Sequence, residues 1–274
     1  DLYKMVKIFA DHDYEVTVYP TRARLDCTRK VLEDAGRFDL VVCCGGDGTL
    51  NEMVSGMMQR QDRRPMGYIP LGSTNDLAVS LRLPTRVEEA ALRAVTGNEF
   101  HMDVGTLNDR YFNYIAAFGA FTETSYATPQ EIKNALGHLA YILEGVKSLG
   151  KILPIHVKIT ADDEQFEEDY LFGAVTNTIS LGGVLKLDPE KVLLDDGMYE
   201  LLLVKNPTNA LEAQAMLTAI MTQNFDGPLV KMFHASDITF ESSHEISWTI
   251  DGEYGGTFSH THILNNKNAV TLIV

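Results

Sequence analysis

The chain has 274 residues, 45% of them hydrophobic and 22% charged, and its formal charge is −15 at pH 7. That field repels nucleic acid and anionic lipid surfaces, so general affinity for either is excluded and any membrane contact must use a local patch. No apolar run approaches the roughly 20 residues of a spanning helix, no signal-peptide pattern is read at its start, and the 3 cysteines (Cys27, Cys43 and Cys44) lack zinc spacing. A reducing compartment is expected.

From Lys4 to about Gly97 strands and helices alternate, as in an α/β domain. Glu15 to Tyr19 reads as a strand and Leu25 to Ala35 as a helix. Leu40-Val41-Val42-Cys43-Cys44 is an unbroken apolar run, which marks a strand covered on both faces. It leads into Gly45-Gly46-Asp47-Gly48-Thr49-Leu50-Asn51-Glu52. Leu50, Met53, Val54, Met57 and Met58 recur at helical spacing, and Thr49 with Glu52 has the spacing of a capping box, so the helix is expected to start at or just after Thr49. The bland reading is a tight strand-to-helix turn. The functional one is a phosphate cradle, since glycines let backbone amides approach an anion at the helix's positive end. An acid such as Asp47 among those amides makes sense beside a divalent cation or a proton-donating substrate.

A second unit follows. Met66 to Pro70 is another short apolar run, and Leu71-Gly72-Ser73-Thr74-Asn75-Asp76 again opens a helix. Ser73, Thr74 and Asn75 either cap that helix or donate to phosphate, and Asp76 supplies a second acid. Consecutive strand-loop-helix units place both loops at the carboxyl edge of one sheet. A helix from Val87 to Val95 is expected next, with a capping box from Thr85 to Glu88 and a stop at Gly97.

After Asp103 short strands dominate: Tyr111 to Ala117, Ile155 to Thr160, Gln165 to Asn177, Tyr199 to Lys205, Asp237 to Glu241, Glu245 to Asp251, His262 to Leu264 and Ala269 to Val274. They suggest a mainly antiparallel sandwich, interrupted by helices at about Pro129 to Leu149 and Thr208 to Asn224. Asp195-Asp196-Gly197 and Asp251-Gly252-Glu253 read in isolation as turns. His260 and His262 share a strand face without a third ligand. Arg60, Arg63 and Arg64 form either a solvated basic loop or a contact for anionic headgroups. The stripe from Leu139 to Leu149 reads as core.

Taken together and in order, Gly45 to Thr49 with Asn51 and Glu52, Gly72 to Asp76, Asp103-Val104-Gly105, Asp195 to Gly197 and Asp251 to Glu253 resemble the diacylglycerol kinase catalytic family, nearest to its soluble bacterial lipid kinases. The resemblance implies a doubly wound nucleotide-binding domain over residues 1–103 and a β-sandwich domain over 104–274, with nucleotide in the cleft between them. It implies ATP and Mg²⁺ as cofactors, bound through Thr21, Gly45, Gly46, Asp47, Gly48, Thr49, Leu50, Asn51, Glu52, Gly72, Ser73, Thr74, Asn75, Asp76 and Asp103. A supporting Mg²⁺ falls on Asp196 with the carbonyls of Leu193 and Met198. Glu253 is expected as the base, with Asp47 and Asp251 as its catalytic companions.

The implied partner is a membrane-derived lipid, met by peripheral contact at the inner face of the membrane from the cytoplasm, with no role for nucleic acid and a homodimer left open. The first strand and the Asn-Pro-x-Ser-Gly loop that the family leads one to expect are not found from Asp1 onward, which points to a trimmed sequence. An NAD kinase-like phosphotransferase, or a non-catalytic nucleotide- or lipid-binding regulator on the same fold, is the alternative.

Overall fold

The computed structural model describes residues 1–120, 153–181, 185–187 and 192–274. The expected helix at Pro129 to Leu149 and its apolar stripe lie outside the described residues. The chain divides into two compact units: Asp1–Val104 with Leu194–Asp196 and Asn266–Val274, and Gly105–Leu193 with Gly197–Asn265. The first crossing between the units falls after Val104. The last residues nevertheless return to the first unit, because Val274 and Asn98 exchange amide-to-carbonyl bonds of 2.9 Å and Leu272 pairs in parallel with Met66.

In the first unit, β1 (Val41–Gly45) and β2 (Met66–Pro70) pair in parallel, in register from Val41↔Met66 to Gly45↔Pro70. Helices α1 (Leu2–Asp11) and α5 (Val87–Thr96) pack Met5, Phe9, Ala90, Ala91 and Ala94 around Ile69 of β2. Between β1 and β2 runs α3 (Asp47–Met58), on which α2 (Asp26–Asp34) rests; a side chain at Gly56 would meet Val31 at 2.9 Å. A short α4 (Asp76–Ser80) follows β2.

Four local expectations are corrected here. Glu15 to Tyr19 forms no strand, since no described strand lies beside it; an apolar cavity of about 520 Å³ separates it from β1. The segment is pinned instead by Tyr19, whose hydroxyl donates to Asp26, with Arg29 bridging both. Helix α3 starts at Asp47 rather than at Thr49, with Gly46 as N-cap. Glu52 does not close a capping box: its carboxylate accepts the amides of Leu25 (2.7 Å) and Cys27 (3.2 Å) and so caps α2. Likewise Glu88 pairs with Lys4, and α5 begins without a side-chain cap.

The second unit is built on antiparallel strands. After β3 (Glu99–Leu107) and β4 (Arg110–Phe112), β5 (Ile115–Gly119) lies between β7 (Glu164–Thr176) and β12 (Asp237–Ile250). β6 (Ile155–Ala161) pairs with the other ends of those same two strands, so both long strands change partner along their length. β8 (Ser180–Leu181) and β9 (Leu185–Lys186) form a small ladder. β10 (Tyr199–Lys205) and β11 (Val230–Ala235) extend the sheet beyond β7, and β13 (Glu253–Ile273) pairs with β12. The separate strands expected at 237–241 and 245–251 are one strand with an irregularity between Glu241 and Ile246. Phe118, Phe240 and Trp248 stack in the core with centroids 4.9–5.7 Å apart. Helix α6 (Ala210–Thr222) packs Met216 over Leu202, Val204 and Val230.

On the surface of this sheet His156 faces Asp169 at 2.8 Å and Glu167 at 3.4 Å, and these carboxylates hold its pKa above the ordinary value of 6.5. A group raised on folding stabilises fully below its unfolded value and loses that contribution as pH rises through the folded one. An NMR titration should place the His156 midpoint above that of an Asp169→Asn/Glu167→Gln variant. The gap in melting temperature between the two proteins should close at alkaline pH.

Candidate active site

The parallel register brings the two glycine loops together. Leu71 donates its amide to the Gly45 carbonyl at 2.8 Å, one residue past the last ladder pair. A Cβ built on Gly72 would sit 2.7 Å from the Gly46 Cα, and one on Gly46 would sit 3.2 Å from the Gly72 Cα. Backbone meets backbone here, and no other residue type fits. Asn75, left-handed at φ 52°, closes the second loop: its side chain accepts the Gly72 amide (3.0 Å) and donates to the Gly72 carbonyl (2.8 Å), while the Tyr68 hydroxyl donates to it at 3.2 Å. The Asn75 amide group expected to meet phosphate is thus engaged within its own loop. Ser73 is exposed and Thr74 half-buried.

Asp47 sits at the first position of α3, where the opening turn has no intrahelical acceptors for its amides; the first helical bond is Leu50 to the Gly46 carbonyl. Burial pushes the Asp47 carboxyl above its ordinary pKa, against the opposing pull of the Asp76, Asn75 and Leu77 amides, which face it from the second loop. Its Oδ1 is buried without a hydrogen-bond partner. A buried anionic oxygen short of donors suits a divalent cation or a proton-bearing group. The donor chemistry therefore fits Mg²⁺.

Other expected nucleotide residues are placed differently. Leu50 is fully buried and its amide donates to the Gly46 carbonyl. Glu52 is spent on capping α2. Asn51 accepts from Ser55 Oγ at 3.5 Å, and Asp76 is buried at the start of α4. Asp103 is fully buried in β3 and accepts the Asn268 amide at 2.7 Å, fastening the returning C-terminal segment. Thr21 is exposed on the pinned segment that borders the apolar cavity.

In the second unit Asp251 and Gly252 take φ 48° and 81° between Ile250 and Glu253, which are directly opposed, as a type I′ hairpin turn requires. The Asp251 carboxylate accepts the amides of Asn113 (2.7 Å), Tyr114 (3.0 Å) and Ile115 (3.2 Å), and its own amide bonds the Ile115 carbonyl. That carboxylate anchors the turn. Glu253, two residues on, is exposed. Beside the anchor lie the side chains of Asn113 and Asn177, both buried and both without hydrogen-bond partners, which nothing in the sequence singled out.

Of the expected supporting-metal residues, Asp196 belongs to the first unit, and Leu193 and Met198 to the second. The Asp196 carbonyl accepts Lys267 Nζ at 3.0 Å, and the Met198 carbonyl accepts Asn265 Nδ2 at 3.2 Å. Among the described residues no cluster of His, Cys, Asp and Glu is arranged to hold a metal. His262 pairs with Asp237 at 2.8 Å. The three arginines of the basic loop bind protein oxygens: Arg60 the Leu32 carbonyl, Arg63 the Ala269 carbonyl and Arg64 the Gly36 carbonyl. Among the described residues no helix is long and apolar enough to cross a membrane.

Comparison with known proteins agrees with this arrangement. Residues 1–107 match the family described as "Diacylglycerol kinase catalytic domain", and residues 121–273 match the "YegS C-terminal NAD kinase beta sandwich-like domain". Over 276 aligned residues the chain is 33% identical to the diacylglycerol kinase of Bacillus subtilis (strain 168), covering 97% of this chain and 91% of that protein. It is 34% identical to the diacylglycerol kinase of Staphylococcus epidermidis (strain ATCC 12228 / FDA PCI 1200), covering 89% and 77%. A crystal structure of a candidate diacylglycerol kinase from Bacillus anthracis str. Sterne superposes with a TM-score of 0.82 at 27% identity, covering 99% of this chain and 90% of that one. The chain belongs to the diacylglycerol kinase family, with the α/β and β-sandwich composition of its fold.

Removing the Asp251 carboxylate orphans the amides it holds. Asp251→Ala should lower unfolding free energy by about 2–3 kcal/mol, measured by urea denaturation, whereas Glu253→Ala at its exposed position should change it by less than about 0.5 kcal/mol.

Proposed function

We propose that this lipid kinase transfers the γ-phosphate of ATP to the hydroxyl of diacylglycerol, forming phosphatidic acid. The observation that carries the reading is Asp47: a desolvated carboxylate with an unmatched oxygen, set in a cradle of backbone amides from two glycine loops. Amides at the start of α3 bind and orient phosphate oxygens, as helix N-termini do. Mg²⁺, when bound, neutralises charge on the phosphates. Asp47 and Asp76 hold the cation's side of that array, and the Gly46–Gly72 contact keeps their loops in place.

Glu253 accepts the proton of the lipid hydroxyl as the new P–O bond forms, since an alcohol is too weakly acidic to give it up unaided. Asp251 keeps the turn that carries it. Support for the acceptor comes from the names of the similar proteins and for the chemistry from the residues. The acceptor NAD is the rival, raised by the sandwich-domain resemblance.

The decisive assay offers labelled ATP with diacylglycerol in mixed micelles and with NAD in parallel. Asp47→Asn should lower turnover at least 100-fold, in the range that positioned acid–base and electrostatic groups supply. Its thermal stability at pH 7 should equal or exceed that of the wild type, because a carboxyl raised on folding is destabilising once ionised. Glu253→Gln should lower kcat with little change in the affinity for ATP. Transfer to NAD with every lipid ignored would refute the lipid acceptor.

A further inference from the structure

A lipid kinase with a charge of −15 must still reach lipid that lies in a bilayer, and the basic loop that could have mediated this is tied to protein carbonyls. From Asn206 to Phe225 the only charged residue is Glu212, where a 22% average would place about four. Glu212 is itself consumed locally: its carboxylate accepts the Thr208 amide (2.7 Å) and hydroxyl (2.8 Å), while Asn209 accepts the Glu212 amide at 2.9 Å. That closes a capping box at the start of α6.

The inner face of α6 is core, through Ala213 and Met216. Its outer face is Leu211, Gln214, Ala215, Thr218, Met221 and Thr222, all exposed and all uncharged. Leu211 is 79% and Met221 80% exposed, the two ends of a strip about 15 Å long. An ordinary surface helix opposes an apolar face with a charged one, whereas the one charge of α6 is Glu212 in its first turn and the exposed face beyond it is apolar or neutral. Small uncharged polar residues between exposed Leu and Met suit the interfacial layer of a bilayer, where a carboxylate would be repelled by anionic headgroups and penalised by desolvation.

We infer that the outer face of α6 is the surface by which this protein rests on the membrane, with the interfacial layer of the lipid bilayer as its occupant. The inference rests on the lipid-kinase reading for its motive, but its physical content is separate. The face offers apolar anchors and no charge, so binding to it is insensitive to salt and needs no anionic lipid, unlike capture by a basic patch.

The test uses the full chain, co-sedimented with phosphatidylcholine vesicles containing long-chain diacylglycerol, at low and high salt. Leu211→Glu/Met221→Glu should weaken partitioning about tenfold or more, and turnover on these vesicles should fall in parallel. Turnover on a diacylglycerol with chains short enough to dissolve as monomers should stay at the wild-type level. Thr218→Glu, one substitution on the same face that leaves both anchors in place, should act in the same direction and guards against a folding failure, checked by circular dichroism.

Unchanged vesicle binding in both variants overturns the inference. So does a wild-type dimer in light scattering that the double variant converts to monomer with vesicle binding intact, since the face then belongs to a second copy. A wild type that phosphorylates neither lipid, soluble or bilayer-bound, counts against the lipid-kinase reading alone, because co-sedimentation is read without catalysis.

Discussion

The contact between Gly46 and Gly72 is the constraint on which the glycine-loop end of the first unit depends. Parallel strands one ladder spacing apart end at Gly45 and Pro70, and the chains leaving them touch through bare Cα atoms. Any Cβ would wedge the loops apart by several tenths of an ångström. Because they close, the amides of residues 75 to 77 face a carboxylate that α3 presents from the other loop. The electrostatics of Asp47 are thus a product of backbone approach.

Asp47 and Asp251 are both acids beside a glycine in a turn, and they end in opposite states. Asp251 accepts the amides of three consecutive residues, 113 to 115, and has become an anchor. Asp162 resembles it, taking the amides of Ser236 and Asp237 and the Ser236 hydroxyl. Asp47 meets amides too, yet burial outweighs them and Oδ1 stays unmatched. A satisfied carboxylate stabilises a fold, and an unsatisfied one calls for a cation or a proton.

Polar side chains elsewhere follow the same division. Glu52, one turn beyond Asp47 on the same helix, gives both oxygens to α2 and so holds that helix on α3. Asn75 gives its amide to Gly72 and fixes the loop rather than a ligand. In the second unit the side chains of Asn113 and Asn177 stay unmatched.

By itself the sequence determined the elements whose signal is local. The parallel strands at Leu40 to Cys44 and at Met66 to Pro70 showed as unbroken apolar runs, and α3 as apolar residues at helical spacing from Leu50 to Met58. The Asp-Gly turn before Glu253 was legible because only left-handed residues fit a two-residue hairpin loop. What lay between elements was decided by tertiary structure. Thr49-x-x-Glu52 has capping-box spacing, but a neighbouring helix competes for the carboxylate and wins. Glu15 to Tyr19 has strand composition, but a strand exists only where a partner accepts its hydrogen bonds. Whether an acid is an anchor or a reactive group depends on how many amides from distant residues reach it. Asp251 and Asp47 owe that count to contacts 138 and about 28 residues away along the chain, a separation that no local pattern encodes.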